Sequence, residues 1–532
     1  MTRFIFTIVA ALITVNAVSQ SSDVVLRDKI TDAVMRVYDE YLAENPNDYN
    51  TLFARAHQHY YDGNYNAALA DVNQALLLTP KTDKELRFDE YILRARISDV
   101  RGDYTGSLAD LRMANELEPK SLGCTDLIAK VNLKAGNLDA AEKAFKTILR
   151  AESMNYDAMY GMAQVETARG NYKAAIDQAS KAVSLFRVEP QVYVNRADIY
   201  ARQGNIDAAV RDLLDGMAVG DGGVAAQRLF DLSDTNYDAV IRTLADLADR
   251  DAGGGGVYRY LRANIAMDHT HFSEALKDLN YIRNGNLFSG YSVVSNTARC
   301  HLELGQYDQA LEYANQAIDE DPSQPEGYIL KAQAEYYAGD GGNAEAALAT
   351  LDQCAAVAPQ SVQMLLAKAS IFSHLGDDNQ ALGYLNAAVS NEPGDAEALF
   401  SRALTLKRLS RYELADKDLN TMRLLSDDVF DLKGLALNEL GLDNDAFHWL
   451  QQITSADLSG GENYYYAAIF MAQRGDNFRA MEFLEKAISM GYGSLHRLQR
   501  EELSPVNLSS LRGESDFQLL LDKASRNFDM AD

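Results

Sequence analysis

The chain has 532 residues, of which 47% are hydrophobic and 24% charged, and its formal net charge is -27. Its length and apolar content are ample for several packed domains. The negative charge argues against a nucleic-acid partner, because phosphate binding depends on Lys and Arg, and against a polybasic contact with a membrane surface.

The N-terminus has the pattern of a secretory signal. Arg3 precedes an apolar run from Phe4 to Val15, and small residues follow at Ala17 and Ser19. That run is too short to span a bilayer comfortably. We therefore expect residues 1–19 to be a cleaved signal peptide. The mature protein would be exported to a periplasmic or extracellular location, without a stable membrane span.

A frame of small residues recurs along the chain that follows. Ala298, Gly305 and Ala310 define it as alanine, then glycine seven residues later, then alanine five residues after that. Consecutive copies from Gly102 to Gly204 are 34 residues apart. The central position of the other copies, complete or approximate, is held by Gly63, Gly102, Gly136, Gly170, Gly204, Thr270, Gly339, Gly376, Ser410, Gly441 and Gly475.

Each copy of the frame predicts two helices joined by a tight turn. Apolar residues recur at helical spacing on both sides of the central glycine, which can end the first helix in a left-handed conformation. Prolines such as Pro80 and Pro322 would stop the second helix. The alanines are small because two helix backbones approach closely at those points.

The period and the helix-turn-helix unit resemble the tetratricopeptide repeat (TPR) family over about residues 47 to 492. The resemblance implies an all-α fold, a right-handed superhelical solenoid of antiparallel helix pairs. We expect an N-terminal capping helix in residues 20–46 and a C-terminal helical cap in 493–532. Between them we expect a subarray of about five repeats in 47–221, a degenerate repeat and glycine-rich seam in 222–256, and a subarray of about seven repeats in 257–492.

Catalytic and metal-binding motifs are missing from the sequence. It has no P-loop, GxSxG elbow, CxxC or HExxH motif. His269 and His271 lie at a predicted turn and could reach one ion, but two ligands without a third are a weak signal. We expect no enzymatic activity, no cofactor and no metal. The three cysteines, Cys124, Cys300 and Cys354, form either one disulfide and a free thiol or, the reading we favour, three separate buried thiols.

A binding surface is the function that remains. In TPR proteins the first helices line the concave groove, so the resemblance assigns groove contacts to positions five, nine, twelve and thirteen of each repeat. Aromatic and arginine side chains are enriched at binding hot spots. The candidates are Phe53, His57, Tyr60, Tyr61, Arg96, Lys130, Lys134, Tyr160, Arg202, Tyr260, Arg299, Tyr336, Tyr337, Phe400, Lys407 and Arg408.

Two alternatives stay open for these candidates. The tyrosines either contact a partner or pack between neighbouring repeats. Arg96, Lys130 and Lys134 either form a positive patch or pair with acids such as Asp99 and Asp126. The sequence as a whole favours an exported scaffold that binds a protein or peptide in its groove. A protein that binds an envelope polymer, such as a glycan, is the alternative, and an enzyme is less favoured.

Overall fold

A computed structural model describes residues 34–338, 343–425, 430–455, 460–500, 503–504 and 506–529. The expected signal peptide lies outside these ranges. Within them the only regular elements are helices, most of which form consecutive packed pairs, so the all-α prediction of a solenoid of helix pairs is confirmed. The chain divides into two compact units, residues 1–229 and 230–532, here called the first and second unit.

The first unit contains five helix pairs after a helix over residues 34–44. The boundary to the second unit falls within Gly223–Arg250, whose backbone is not helical at Asn236. The pairs are Tyr49–Tyr61 with Tyr65–Leu78, Lys84–Val100 with Tyr104–Leu117, Leu122–Lys134 with Leu138–Ala151, Tyr156–Ala168 with Tyr172–Leu185, and Pro190–Arg202 with Ile206–Met217.

The second unit contains seven helix pairs in its described part, followed by Leu495–Arg500, the 3-10 turn Ser509–Leu511 and Ser515–Asp529. The pairs are Gly256–Asp268 with Phe272–Asn284, Tyr291–Glu303 with Tyr307–Glu320, Pro325–Tyr337 with Ala344–Val357, Val362–His374 with Asp378–Asn391, Ala396–Arg408 with Tyr412–Arg423, Phe430–Glu439 with Asp443–Ser455, and Glu462–Gln473 with Asn477–Ser489.

The central position of the sequence frame adopts a left-handed backbone. Gly305, between helices that end at Glu303 and begin at Tyr307, has a φ of 72°. Thr270 and Ser410, which replace glycine in two approximate copies, have φ values of 61° and 60°. The turn therefore requires this conformation even where the residue has a side chain that disfavours it.

The alanines of the frame lie where the paired helices meet. Ala298 and Ala310 are both completely buried. Gly434 replaces the first alanine in the repeat that contains the single tryptophan, and a Cβ atom on Gly434 would lie 1.9 Å from Cδ2 of Trp449. The indole in the second helix takes the space that an alanine methyl occupies in the other repeats, which explains the glycine.

Partly buried arginines pair with buried aspartates and link the two helices of several repeats. Arg196 Nε and Nη2 donate to the two carboxylate oxygens of Asp212, at 2.7 and 2.6 Å, and Nη1 donates to Ser180 Oγ in the preceding repeat. Such bidentate pairs fix both side chains. Pairs with the same 16-residue spacing are Arg55–Asp71, Arg94–Asp110, Arg262–Asp278 and Arg402–Asp418.

The three cysteines are free and buried, which agrees with the reading of three separate thiols. Burial raises the pKa of Cys124 to about 11, so its reactive thiolate form is scarce at neutral pH. None of the helices in the described ranges combines the length and the apolar character that crossing a membrane would require.

Candidate functional site

The candidate site is the face formed by positions five, nine, twelve and thirteen of the first helices, here called the inner face. Successive first helices contact one another directly in both units, and more closely than successive second helices do in the described residues. Elements that approach each other most closely lie on the inside of a curved stack. The first helices therefore line the concave side of each unit.

Four aromatic side chains cluster on the inner face of the first unit, and we call them the aromatic row. The rings of Phe53 and His57 are 4.8 Å apart, those of His57 and Tyr61 are 6.1 Å apart, and Tyr60 packs edge-on against Tyr61 at 5.7 Å. Burial, together with the nearby charge of Arg96, lowers the pKa of His57. Tyr61 at the end of the row is 64% exposed.

The basic candidates beside the aromatic row are mostly paired. Lys130 Nζ lies 2.6 Å from a carboxylate oxygen of Asp126, and Lys134 Nζ lies 2.7 Å from one of Asp99. Arg96 is exposed. The pairing alternative therefore describes both lysines, and the three cations do not form an unneutralised positive patch.

Two further candidates lie in the later repeats of the first unit. Tyr160 is half-buried, and burial, together with the charge of Asp198, raises the pKa of its hydroxyl. Arg202 is exposed at the end of its first helix. Both residues lie on the inner face but outside the aromatic row. The candidates of the first unit therefore do not form one continuous cluster.

The inner face of the second unit is covered by a segment of the same chain. We call residues 490–511, as far as they are described, the closing segment. The ring of Tyr492 stacks on Tyr465, which occupies position five of the last first helix, with centroids 4.6 Å apart. Ser494 Oγ donates to Glu303 Oε2 at 2.5 Å, although the two residues are 191 positions apart.

The closing segment then crosses further repeats. His496 packs edge-on against the rings of Tyr307 and Tyr337, with centroids 5.9 and 4.5 Å away. Arg500 Nη1 donates to the backbone oxygen of Tyr337 at 3.0 Å, and the backbone nitrogen of Leu503 donates to its hydroxyl at 3.2 Å. Tyr337, which its position in the repeat assigned to an external partner, thus contacts a segment of its own chain.

All seven candidates of the second unit are buried or form ion pairs. Tyr260, Tyr336, Tyr337 and Phe400 are at most 8% exposed, so the packing alternative describes these tyrosines. The three cations form ion pairs, and a contact of any of these residues with a partner stays a prediction. The pairs are Arg299–Glu326, Lys407–Glu439 and Arg408–Asp378.

The two histidines considered as metal ligands pack against the same ring. The centroid of Tyr237 lies 5.0 Å from that of His269 and 4.5 Å from that of His271, and His269 Nε2 also shares a hydrogen bond with Ser233 Oγ at 2.8 Å. Ligand atoms of His269, Asp234 and Asp268 lie within 4.8 Å of one another. Ligands of a tetrahedral zinc ion would be only about 3.3 Å apart. The absence of a metal remains an expectation from the sequence.

Four segments of the chain match the model of a known protein family. The tetratricopeptide repeat model matches residues 127–190, 168–224, 260–325 and 329–396. The chain carries tetratricopeptide repeats. The matched segments include some of the helix pairs of each unit.

One curated relative resembles part of the chain at low identity. The chain is 23% identical to "Protein CTR9 homolog" of Arabidopsis thaliana in an alignment of 298 positions that covers 50% of this chain and 25% of that relative. The chain therefore matches about a quarter of the relative's length.

Two solved structures are also similar to the chain at low sequence identity. The TPR protein TTC0263 of Thermus thermophilus is 20% identical, with 35% of this chain and 98% of that one covered and a TM-score of 0.32. A chain in the structure of Naa15/Naa10 bound to HypK-THB is 16% identical. The match covers 94% of this chain and 86% of that one, with a TM-score of 0.29. With scores this low, function has to be inferred from the residues of the chain itself.

Proposed function

We propose that the chain is an exported TPR scaffold that binds a segment of a partner protein on the inner face of its first unit. TPR folds serve as scaffolds for protein–protein interaction, and the second unit uses its own inner face for the closing segment. The observation that carries the proposal is the aromatic row, which ends in the 64% exposed ring of Tyr61. Exposed aromatic clusters in a concave face are typical binding hot spots.

The geometry of the row favours a peptide over a glycan. A sugar ring stacks on an aromatic face, so a glycan-binding surface presents its rings as a shared platform. Here Phe53 and His57 meet at 83°, and Tyr60 and Tyr61 meet at 68°. Such edge-to-face rings form clefts that suit an apolar or aromatic side chain.

The closing segment supports the proposed mode of binding. It shows that an inner face of this chain can hold a polypeptide through a stacked aromatic residue at position five, as Tyr492 does on Tyr465. The first unit offers aromatic residues at the same position in Phe53 and Tyr160. We therefore infer a partner segment with an aromatic anchor, laid across the first helices.

Export is supported by the N-terminal sequence. Cleavage of the signal would leave a mature chain that starts near Val18 or Gln20. Mass spectrometry of the N-terminus of the native protein tests this, and an intact Met1 would exclude cleavage. We further infer that the chain has no catalytic activity, because none of the motifs that support catalysis occurs in its sequence.

The binding proposal is tested by partner capture with matched aromatic variants. Phe53→Ala and Tyr61→Ala should each weaken capture about ten-fold or more, since hot-spot truncations cost about 2 kcal/mol or more. Tyr412→Ala is the control, because this ring is 59% exposed on a second helix. Equal capture by all three variants would exclude the aromatic row as the partner-binding site. Retention of the protein on a glycan column that depends on Tyr61 would favour the polymer alternative.

A further inference from the structure

A cavity remains open on the inner face of the second unit where the closing segment leaves it uncovered. It has a volume of about 350 Å³ and lies between Val362–His374, Ala396–Arg408 and residues Leu503, Ser504 and Asn507. Binding sites for small molecules begin at about 300 Å³. The polar side chains that line it on the two helices are Ser370, Ser373, His374, Ser401, Thr405 and Arg408.

The guanidinium group of Arg408 is held in place at the cavity wall. Its Nε donates to Asp378 Oδ1 at 2.9 Å, and its Nη2 donates to Thr405 Oγ1 at 3.0 Å and to Ser373 Oγ. Its Nη1 has no hydrogen-bond partner in the described part of the chain. One edge of a fixed, charged donor group is therefore available to a ligand.

Other side chains with hydrogen-bond donors line the same cavity as Arg408. The side-chain hydroxyls of Ser370 and Ser401 line the cavity, and neither forms a hydrogen bond with another described residue. His374 contributes an exposed imidazole. Among the described residues that line the cavity none is acidic, although the whole chain has a net charge of -27. The cavity thus offers hydrogen-bond donors and one cation, a combination that suits an oxyanion.

We propose that this cavity binds a small molecule that carries a carboxylate group. Asp378 offsets part of the Arg408 charge, so a planar carboxylate group, which carries a single charge, suits the site better than a doubly charged phosphate group. The carboxylate would accept from Arg408 Nη1, and the hydroxyls of Ser370 and Ser401 would bind its remaining lone pairs. The proposal concerns the second unit and is independent of partner binding by the first.

Titration of the full-length mature chain with succinate tests the proposal, with binding followed by ligand-observed NMR. Succinamide, which has the same carbon skeleton without charge, is the ligand control. Succinate should bind saturably and at least ten times more tightly than succinamide. Arg408→Gln should weaken succinate binding about ten-fold or more, because it removes a charge-assisted hydrogen bond. Arg411→Gln changes an exposed arginine three residues away and should leave binding unchanged.

Ser401→Ala gives a second test that does not depend on the Arg408 network. Its hydroxyl has no partner among the described residues, so its loss should preserve folding, as circular dichroism would confirm, while weakening succinate binding several-fold. A blocked Ala-Asp-Ala peptide distinguishes the sources of the carboxylate. If the peptide binds more tightly than succinate, the carboxylate that the cavity binds comes from an acidic side chain of a peptide. No saturable binding of either probe, equal binding of succinamide, or unchanged binding by both variants would overturn the proposal.

Discussion

The ring of Tyr492 stacks on the ring of Tyr465, with centroids 4.6 Å apart and planes inclined by 12°. Tyr465 lies on the first helix of the last repeat, and Tyr492 lies near the start of the closing segment, which leaves that repeat and turns back across the inner face. Both side chains are at most 1% exposed. The contact therefore directs the chain away from continued repeat stacking and into the groove of its own unit.

Truncation of this ring should destabilise the second unit. We expect Tyr492→Ala to lower the free energy of unfolding by about 3–5 kcal/mol, the usual cost of removing a large buried aromatic side chain. Phe478→Ala is the matched control, since this ring is 73% exposed on the preceding helix and its loss should change stability by about 0.5 kcal/mol or less. Denaturant unfolding measures both, and similar losses for the two variants would show that the closing segment does not stabilise the unit.

The repeats could be predicted from the sequence because their signals are local. The alanine and glycine frame determines the helix contacts and the turn of each repeat within about 34 residues. Even Thr270 and Ser410 adopt the left-handed backbone conformation that the turn requires. The buried arginines had a readable signal too, since Arg196 directly precedes a frame alanine and Asp212 follows 16 residues later. Their significance was missed because charged residues on helices usually face solvent.

The covered inner face could not be predicted in the same way. The contact between Ser494 and Glu303 joins residues 191 positions apart, and no periodic pattern marks a segment that packs across several repeats. Family position alone placed Tyr337 in a partner-binding groove. In the structure that groove is filled, because residues of the closing segment bury its aromatic rings.

The helix contact at the frame alanines leads to a prediction for the repeat that contains Ala310. This side chain is completely buried, so Ala310→Phe should destabilise the second unit by about 1–3 kcal/mol or more through overpacking. Glu312→Phe, on an exposed position of the same helix, should cost much less. Thermal unfolding compares the variants, and equal melting temperatures would contradict the helix pairing.

The buried ion pairs lead to a prediction for the first unit. The Asp212 side chain is 7% exposed and its partner Arg196 is 18% exposed. Asp212→Ala should lower the free energy of unfolding by about 3–5 kcal/mol, because it leaves a buried cation without its main partner. The control is Asp139→Ala, whose fully exposed side chain pairs with Arg169 and should matter far less. Denaturant unfolding that ranks the two variants equally would argue against a structural role for the arginine pairs.

A pH-dependent stability is expected from Asp268. Burial, with repulsion from Asp234 and Glu462, raises its pKa to about 6. A carboxyl group whose pKa is higher in the folded state stabilises the fold below its unfolded pKa of about 3.9, and this contribution is lost as the pH rises to about 6. Asp268→Asn should therefore increase stability at pH 7, by less than about 1 kcal/mol because the residue is exposed and solvent screens its charge. Urea unfolding at pH 4 and pH 7 measures this, and a larger gain at pH 4 would reverse the expected sign.

Site-specific photo-crosslinking at Tyr61 in native cells tests the central claim most directly. A benzophenone amino acid replaces Tyr61 on the aromatic row or, as the control, Tyr412, which is similarly exposed on a second helix. We predict a discrete protein adduct from position 61 that is lost when Phe53 is also changed to alanine, and none of that mass from position 412. The absence of an adduct at position 61, or the same adduct from both positions, would contradict the claim that the inner face of the first unit binds a protein partner.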